Sequence, residues 1–349
     1  MSVVAQALAC ELLEFFSPRS APKGRQKKSR APALRWHNSG LIVTLTANPA
    51  IDRILSVDRL AFEDRAYINS SRDSAGGRGI NASRVVHSFG GETLAILISG
   101  GATGKRLEEH LRGYGFPFRA VPVQNRIRTN LTITDKQGLT VNLNEAGPVL
   151  TKAEVARLEK VVREALEGAD WLLLCGSLPP GVPTSFYARL IALARARHVH
   201  TMLHADGNAL REGIEARPTL ATPNQQEAAR LLGRTLLTRT HYLEAASEIR
   251  SMGPEAVVLS VGSRGAVGAF ATGTVEAIPP RVDAVSPIGA GDALMAVYAW
   301  AMTRKPDPVD ALRWGVAAGT ASARLPGMDF ANLAQTREIY RQVEIRKAE

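Results

Sequence analysis

Apolar residues recur along this chain in two rhythms. Short aliphatic and β-branched runs at 41–45, 94–99, 171–174, 200–204 and 256–260 read as buried strands. Between them, apolar residues at three-to-four spacing over 79–89, 104–114, 151–167, 184–197, 224–233 and 242–252 predict helices, several opening on Thr or Asn caps. Strands alternating with helices of this length predict right-handed crossovers and a parallel sheet covered on both faces. Two stretches, 54–71 and 121–144, instead alternate apolar with polar positions, and the second carries a turn at 135–138. They predict antiparallel strands with one wet face. Such a small sheet can cover a site at the carboxyl ends of the parallel strands, where open α/β sheets bind ligands.

Residues 1–40 follow neither rhythm. An apolar stretch interrupted by Glu11 and Glu14 gives way to a basic run over 23–35. No positive charge precedes the apolar part and no small-residue cleavage site follows it, so a disordered extension is expected rather than a signal peptide. Residues 41–349 are expected to form the folded domain. At 349 residues, 45% hydrophobic and 22% charged, the chain is neither collagen, coiled coil nor wholly disordered. Its longest clean apolar run, 293–302, is too short to cross a bilayer, which takes about 18 residues, so a soluble protein with no membrane partner is expected. Cys10 and Cys175 suit neither a disulfide framework nor metal spacing, and a cytoplasmic, reducing setting fits. The net charge of +10 is half contributed by the first 40 residues, with seven Lys and Arg against two Glu. What remains fits either a plain solvated surface or an enzyme of anionic substrates, and a nucleic-acid binder less well.

The sharpest chemical signal is Gly289-Ala290-Gly291-Asp292, opening an apolar helix. Glycines there free backbone N–H groups at a helix amino end to meet phosphate oxygens. Asp292 in that first turn is either a simple helix-stabilising acid or a base that takes a hydroxyl proton during phosphoryl transfer. A second cluster, Gly76-Gly77-Arg78-Gly79 with Asn81, offers donors for a polyhydroxylated or phosphorylated ligand. It satisfies a dinucleotide fingerprint on paper, but a polar stretch precedes it where a buried strand is needed. Gly176 and Ser177 follow a strand, as do Ser260, Gly262, Ser263 and Gly265; each group is a binding loop or an ordinary turn. Asn224 and Glu227 suit water-mediated magnesium binding or a plain capping box. The histidines show no zinc spacing.

Eight collinear motifs, TLTANPAID (44–52), AGGRGIN (75–81), RTN (128–130), NEAGP (144–148), GSLPPG (176–181), PNQQE (223–227), SVGSRG (260–265) and GAGD (289–292), resemble the ribokinase-type PfkB carbohydrate kinases, and within them the 1-phosphofructokinase and tagatose-6-phosphate kinase branch. The resemblance implies a three-layer αβα fold with a mostly parallel central sheet and a small antiparallel β lid at 54–71 and 121–144, through which two subunits pair. It implies Asp292 as general base, with the amides of Gly289, Ala290 and Gly291 as the anion hole. It also implies that Asp52, Gly76, Gly77 and Asn81 hold sugar hydroxyls, that Arg128 and Ser177 grip the substrate's own phosphate, and that Ser260, Gly262, Ser263 and Gly265 form the nucleotide loop. Asn224 and Glu227 correspond to the magnesium and phosphate motif, with Glu227 reaching Mg2+ through water. The implied reaction is ATP-dependent phosphorylation of a ketohexose phosphate, with fructose 1-phosphate first, and tagatose 6-phosphate and fructose 6-phosphate as alternatives. A silent sugar-phosphate-binding regulator is the alternative from another class. Arg78, Thr222 and Ala293 depart from the usual lysine, lysine and serine, and Thr222 removes a cation from beside the nucleotide phosphates.

Overall fold

The computed structural model describes residues 40–60 and 64–348. Contacts divide the chain into 1–35 and 36–349, and only the second unit is described below. The expectation for 1–40 lies, Gly40 apart, outside the described residues.

The chain runs through β1 (Ile42–Thr46), β2 (Ala50–Val57), β3 (Ile68–Gly76), α1 (Arg78–Ser88), β4 (Thr93–Ser99), α2 (Gly101–Tyr114) and β5 (Phe118–Pro122). A hairpin of β6 (Arg128–Asp135) and β7 (Thr140–Asn144) leads to α3 (Lys152–Ala165), β8 (Trp171–Cys175), α4 (Phe186–Arg195), β9 (His200–His204) and α5 (Gly207–Glu215). Then come β10 (Leu220–Ala221), α6 (Gln225–Leu232), α7 (Arg239–Ser251), β11 (Ala256–Ser260), β12 (Ala266–Phe270) and β13 (Gly273–Ile278). The last elements are α8 (Ala290–Arg304), α9 (Pro308–Ala323), α10 (Leu333–Tyr340) and β14 (Glu344–Lys347).

Ten strands form the main sheet in the order β14-β13-β12-β11-β10-β9-β8-β1-β4-β5. Every pairing from β5 to β11 is parallel, and the three at the β14 edge are antiparallel. The central strands are apolar throughout because successive residues feed different cores. On β8, Leu172 and Leu174 join the layer that includes α2 to α7, whereas Trp171, Leu173 and Cys175 face α8 and α9. Helix α8 is buried from Asp292 to Met302, as expected of a helix apolar on every side.

The small sheet is ordered β3-β2-β6-β7. Its outer pairings are antiparallel and its central one, β2 with β6, is parallel. The predicted segments locate this sheet, but their bounds move. Strand β2 already begins at Ala50 and β3 runs on to Gly76, through small and polar residues that carry no alternation, while 118–122 belongs to the main sheet. The predicted turn is present: Asp135 Oδ1 accepts the N–H groups of Gln137 and Leu139, each at 2.9 Å, and Gly138 has φ +87°.

Candidate active site

Strand β3 passes directly into α1, and two glycines make that possible. A Cβ on Gly76 would collide with the Asp52 carboxyl group, and one on Gly77, whose φ is +131°, would lie 2.5 Å from Thr46 Cγ2. The first turn of α1 therefore rests on the carboxyl end of β1, where Thr46 Oγ1 accepts the Ile80 N–H at 3.1 Å. Asn81, one turn along, reaches across to α8 and donates to Asp292 Oδ2 at 2.7 Å. Gly289, at φ +78°, precedes α8. The Ala290 N–H is already given to Pro287 O at 3.2 Å, and among the described residues no acceptor takes the N–H groups of Gly289, Gly291 and Asp292. Of the three amides expected to form an anion hole, two stand free, and Asp292 adds its own. Free N–H groups at a helix amino end suit an anion.

Asp292 is buried, and burial pushes its pKa up to about 6 against the Asn81 hydrogen bond and the Arg78 charge. Its second oxygen, Oδ1, faces His204 Nε2 across 3.9 Å. His204 Nδ1 lies 2.7 Å from Thr222 O, and burial together with Arg78 pulls the ring's pKa down to about 3. Arg78 pairs through Nη2 with Glu227 Oε1 at 3.0 Å. Glu227 Oε2 accepts the Asn224 N–H and Asn224 Oδ1 accepts the Glu227 N–H, both at 2.9 Å, so the capping box is real and both Glu227 oxygens are engaged. Among the described residues, no three acidic, His or Cys side chains group as a metal site.

A second cluster lies where the small sheet meets the main one. Asp52 on β2 sits opposite Asn130 on β6, and its Oδ1 accepts from Asn130 Nδ2 at 2.8 Å. Burial raises the Asp52 pKa, while that hydrogen bond and the Arg128 charge lower it. Arg128 donates to Asn48 O at 2.9 Å and to Glu145 O at 3.2 Å. Asn48 Nδ2 in turn donates to Ala146 O at 2.9 Å and to Ser177 Oγ at 3.3 Å. Four of the sequence motifs thus converge on Asn48. Arg128 has no ion-pair partner among the described residues, so its charge is available to an anion.

An open cleft of about 1490 Å³ runs along the main-sheet side, walled by Asn224, Ser260, Gly262, Ser263, Gly265 and residues 289–292, with Arg78 and His204 between them. Asp52, Gly76, Gly77, Asn81, Arg128, Ser177 and Glu227 are not on its walls. Glu227 stays with the cleft group through Arg78 and Asn224, and the others form a second group, joined to the first by the Asn81–Asp292 bond. His204, Asn48 and Asn130 had been given no role. His204 had a usable signal, a polar residue closing a parallel strand at its carboxyl end.

Residues 42–334 match the family model described as pfkB family carbohydrate kinase. The chain belongs to the pfkB family. Its members are phosphotransferases with an alcohol acceptor. Over 295 residues this pfkB kinase is 34% identical to the ATP-dependent 6-phosphofructokinase isozyme 2 of Mycobacterium tuberculosis, covering 83% of this chain and 86% of that one. It is 32% identical to the 1-phosphofructokinase of Rhodobacter capsulatus, covering 79% and 88%. Escherichia coli phosphofructokinase-2, solved in complex with fructose-6-phosphate, superposes with a TM-score of 0.78 at 30% identity, covering 86% and 98%. Among the described residues of this kinase, no helix is long and apolar enough to cross a membrane.

Proposed function

We propose that this pfkB kinase transfers the γ-phosphoryl group of ATP to a hydroxyl of a ketohexose monophosphate in the cytoplasm. The observation that carries the reading is Asp292, buried at the amino end of α8, with one oxygen held by Asn81 and the other open. At a pKa of about 6 it is ionised near neutrality yet basic enough to accept a hydroxyl proton. The free N–H groups of Gly289, Gly291 and Asp292 lie where the transferring phosphoryl group would gather charge. Gly262, Ser263 and Gly265, on the same cleft, suit the nucleotide. Across the Asn81–Asp292 bond, Asp52 with Asn130 would orient sugar hydroxyls, and Arg128 with Ser177 would hold the phosphate already on the sugar.

Magnesium would arrive with the nucleotide. A Mg2+ ion keeps several waters and takes few protein ligands beside phosphates, which fits a site with no three-ligand cluster and with Glu227 already engaged. Asn224 and Glu227 would hold its water shell, and the ion would neutralise phosphate charge. Exposed Tyr67, Ile68, Leu139 and Leu143 on and beside the outer strands of the small sheet support pairing of two copies there.

Relatives bear both 6-phosphofructokinase and 1-phosphofructokinase names, which leaves either ketohexose monophosphate as acceptor. The test is ADP release from MgATP with fructose 1-phosphate, fructose 6-phosphate, tagatose 6-phosphate, fructose and ribose in parallel. One phosphorylated ketohexose is expected to exceed the free sugars by roughly a hundredfold in kcat/KM, as charged hydrogen bonds to a second phosphate would give. Equal turnover of fructose or ribose would end the sugar-phosphate reading.

A further inference from the structure

His204 closes β9 on the cleft beside Asp292, and none of the roles above uses it. Its Nδ1 lies 2.7 Å from the Thr222 carbonyl oxygen, an atom that only accepts, so Nδ1 carries the ring proton. Burial, aided by the Arg78 charge, keeps the ring neutral. Nε2 therefore presents a bare lone pair. It faces Asp292 Oδ1 at 3.9 Å, the carboxylate oxygen that Asn81 leaves open, with the two side chains only 9% and 11% exposed. Two acceptors confront each other on the cleft wall, and among the described residues no side chain donates to either. A ligand that fills the cleft and displaces water leaves any acceptor it does not serve unpaired, so one that brings two adjacent O–H groups is favoured over one that brings a single O–H.

Resting on the ketohexose-phosphate reading, we propose that His204 is a specificity-determining residue. It accepts a hydrogen bond from the hydroxyl next to the attacking one and so selects a ketohexose 6-phosphate, phosphorylated at O1. In the furanose ring of such a sugar, the O1 hydroxyl that donates to Asp292 has the anomeric O2 hydroxyl on the adjacent carbon. In a ketohexose 1-phosphate the free primary hydroxyl is O6, and its neighbouring carbon carries the ring oxygen, which has no proton to give. Asp292 takes the O1 proton as O1 bonds to the γ-phosphorus and the bond from that phosphorus to the bridging oxygen of ADP breaks. His204 exchanges no proton.

The experiment compares fructose 6-phosphate, fructose 1-phosphate and 2,5-anhydromannitol 6-phosphate, which keeps the furanose but has hydrogen in place of the anomeric hydroxyl. Wild type is expected to prefer fructose 6-phosphate to both others by about tenfold or more in kcat/KM. His204→Asn keeps an N–H for Thr222 but removes the Nε2 acceptor. It is expected to lose about tenfold on fructose 6-phosphate and nothing on the anhydro analogue. His204→Gln, with an amide oxygen near the Nε2 position, should recover part of that loss, and melting temperatures check that both variants fold. Equal losses on both substrates, no loss at all, or a preference for fructose 1-phosphate would each overturn the proposal while leaving the kinase reading standing. Failure of wild type on every ketohexose phosphate would overturn that reading and this proposal with it.

Discussion

Asp292 is a buried carboxyl group and Asp52 a half-buried one, and each accepts a hydrogen bond from an asparagine that the chain brings from far away. Their surroundings differ. Asp52 lies on a strand of the small sheet, where burial raises its pKa and the Asn130 hydrogen bond and the Arg128 charge work against that rise. Asp292 sits at the end of an enclosed helix, where desolvation dominates and lifts its pKa to about 6, and one oxygen opens toward a cleft. The same balance of forces acts on both, and what separates them is place: Asp292 opens onto the cleft beside free helix N–H groups, whereas Asp52 stays between β2 and β6. On the proposed reading that difference makes one a base and the other an anchor.

That contrast is broken most forcefully by exchanging each carboxylate for its amide. Asp292→Asn should lower kcat by about two to four orders of magnitude with little change in KM for the acceptor. Asp52→Asn should instead raise that KM by about tenfold and leave kcat within a few-fold. Comparable losses of kcat in both would erase the division of labour. Arg128→Ala tests the anchoring side through charge: KM for a sugar phosphate should rise by about a hundredfold, and for the unphosphorylated sugar by only a few-fold. Steady-state kinetics on the two acceptors settles it.

Stability reads the same difference from another direction. The fold raises the pKa of Asp292, so the protonated acid is what burial favours. Its contribution to stability is full below the ordinary carboxylate range and is lost as pH rises through about 6. Asp292→Asn escapes that loss. The variant should be more stable than wild type by about 2–3 kcal/mol at pH 8, with the gap closing toward pH 4. Denaturant midpoints at the two pH values measure it, and an equal gap at both would show that Asp292 is not strained by burial. The smallest expected effect is kinetic. The acid limb of kcat/KM should fall near pH 6, and Asn81→Ala should move it upward by about half a unit to one unit, since the lost hydrogen bond had favoured the carboxylate.

Most of the parallel half of the molecule was legible because its strands and helices keep one period for many residues; β5, part of which fell in the expected lid, and the two-residue β10 were the exceptions. The antiparallel edge was not legible. Strand β14 has only four residues, and β12 and β13 are hairpin partners rich in Gly and Ala with no helix between them to set the alternating rhythm. Within the site, the glycine clusters announced themselves, because a Cβ at Gly76 or Gly77 would strike the Asp52 or Thr46 side chain and Gly289 takes a positive φ. The Arg78–Glu227 ion pair joins residues 149 positions apart, and no spacing rule reaches that far. His204 was hidden as the last residue of a run that reads as an ordinary buried strand. What distinguishes it is Thr222, whose carbonyl fixes the ring proton and which emerges only when β10 packs beside β9.

Helix α8 has no wet side between Asp292 and Met302, and β3 and β7 carry most of their residues in the open. Change is therefore unevenly available to this kinase. A substitution along α8 must be accommodated by packed neighbours on all sides, so this helix has almost no neutral neighbours in sequence space. The outer strands β3 and β7 have many, and β2 and β6 between them have fewer. On the proposed reading, a mutational library confined to β2, β3, β6 and β7 would vary the acceptor side while leaving Asp292 untouched, and drift among relatives should follow the same path.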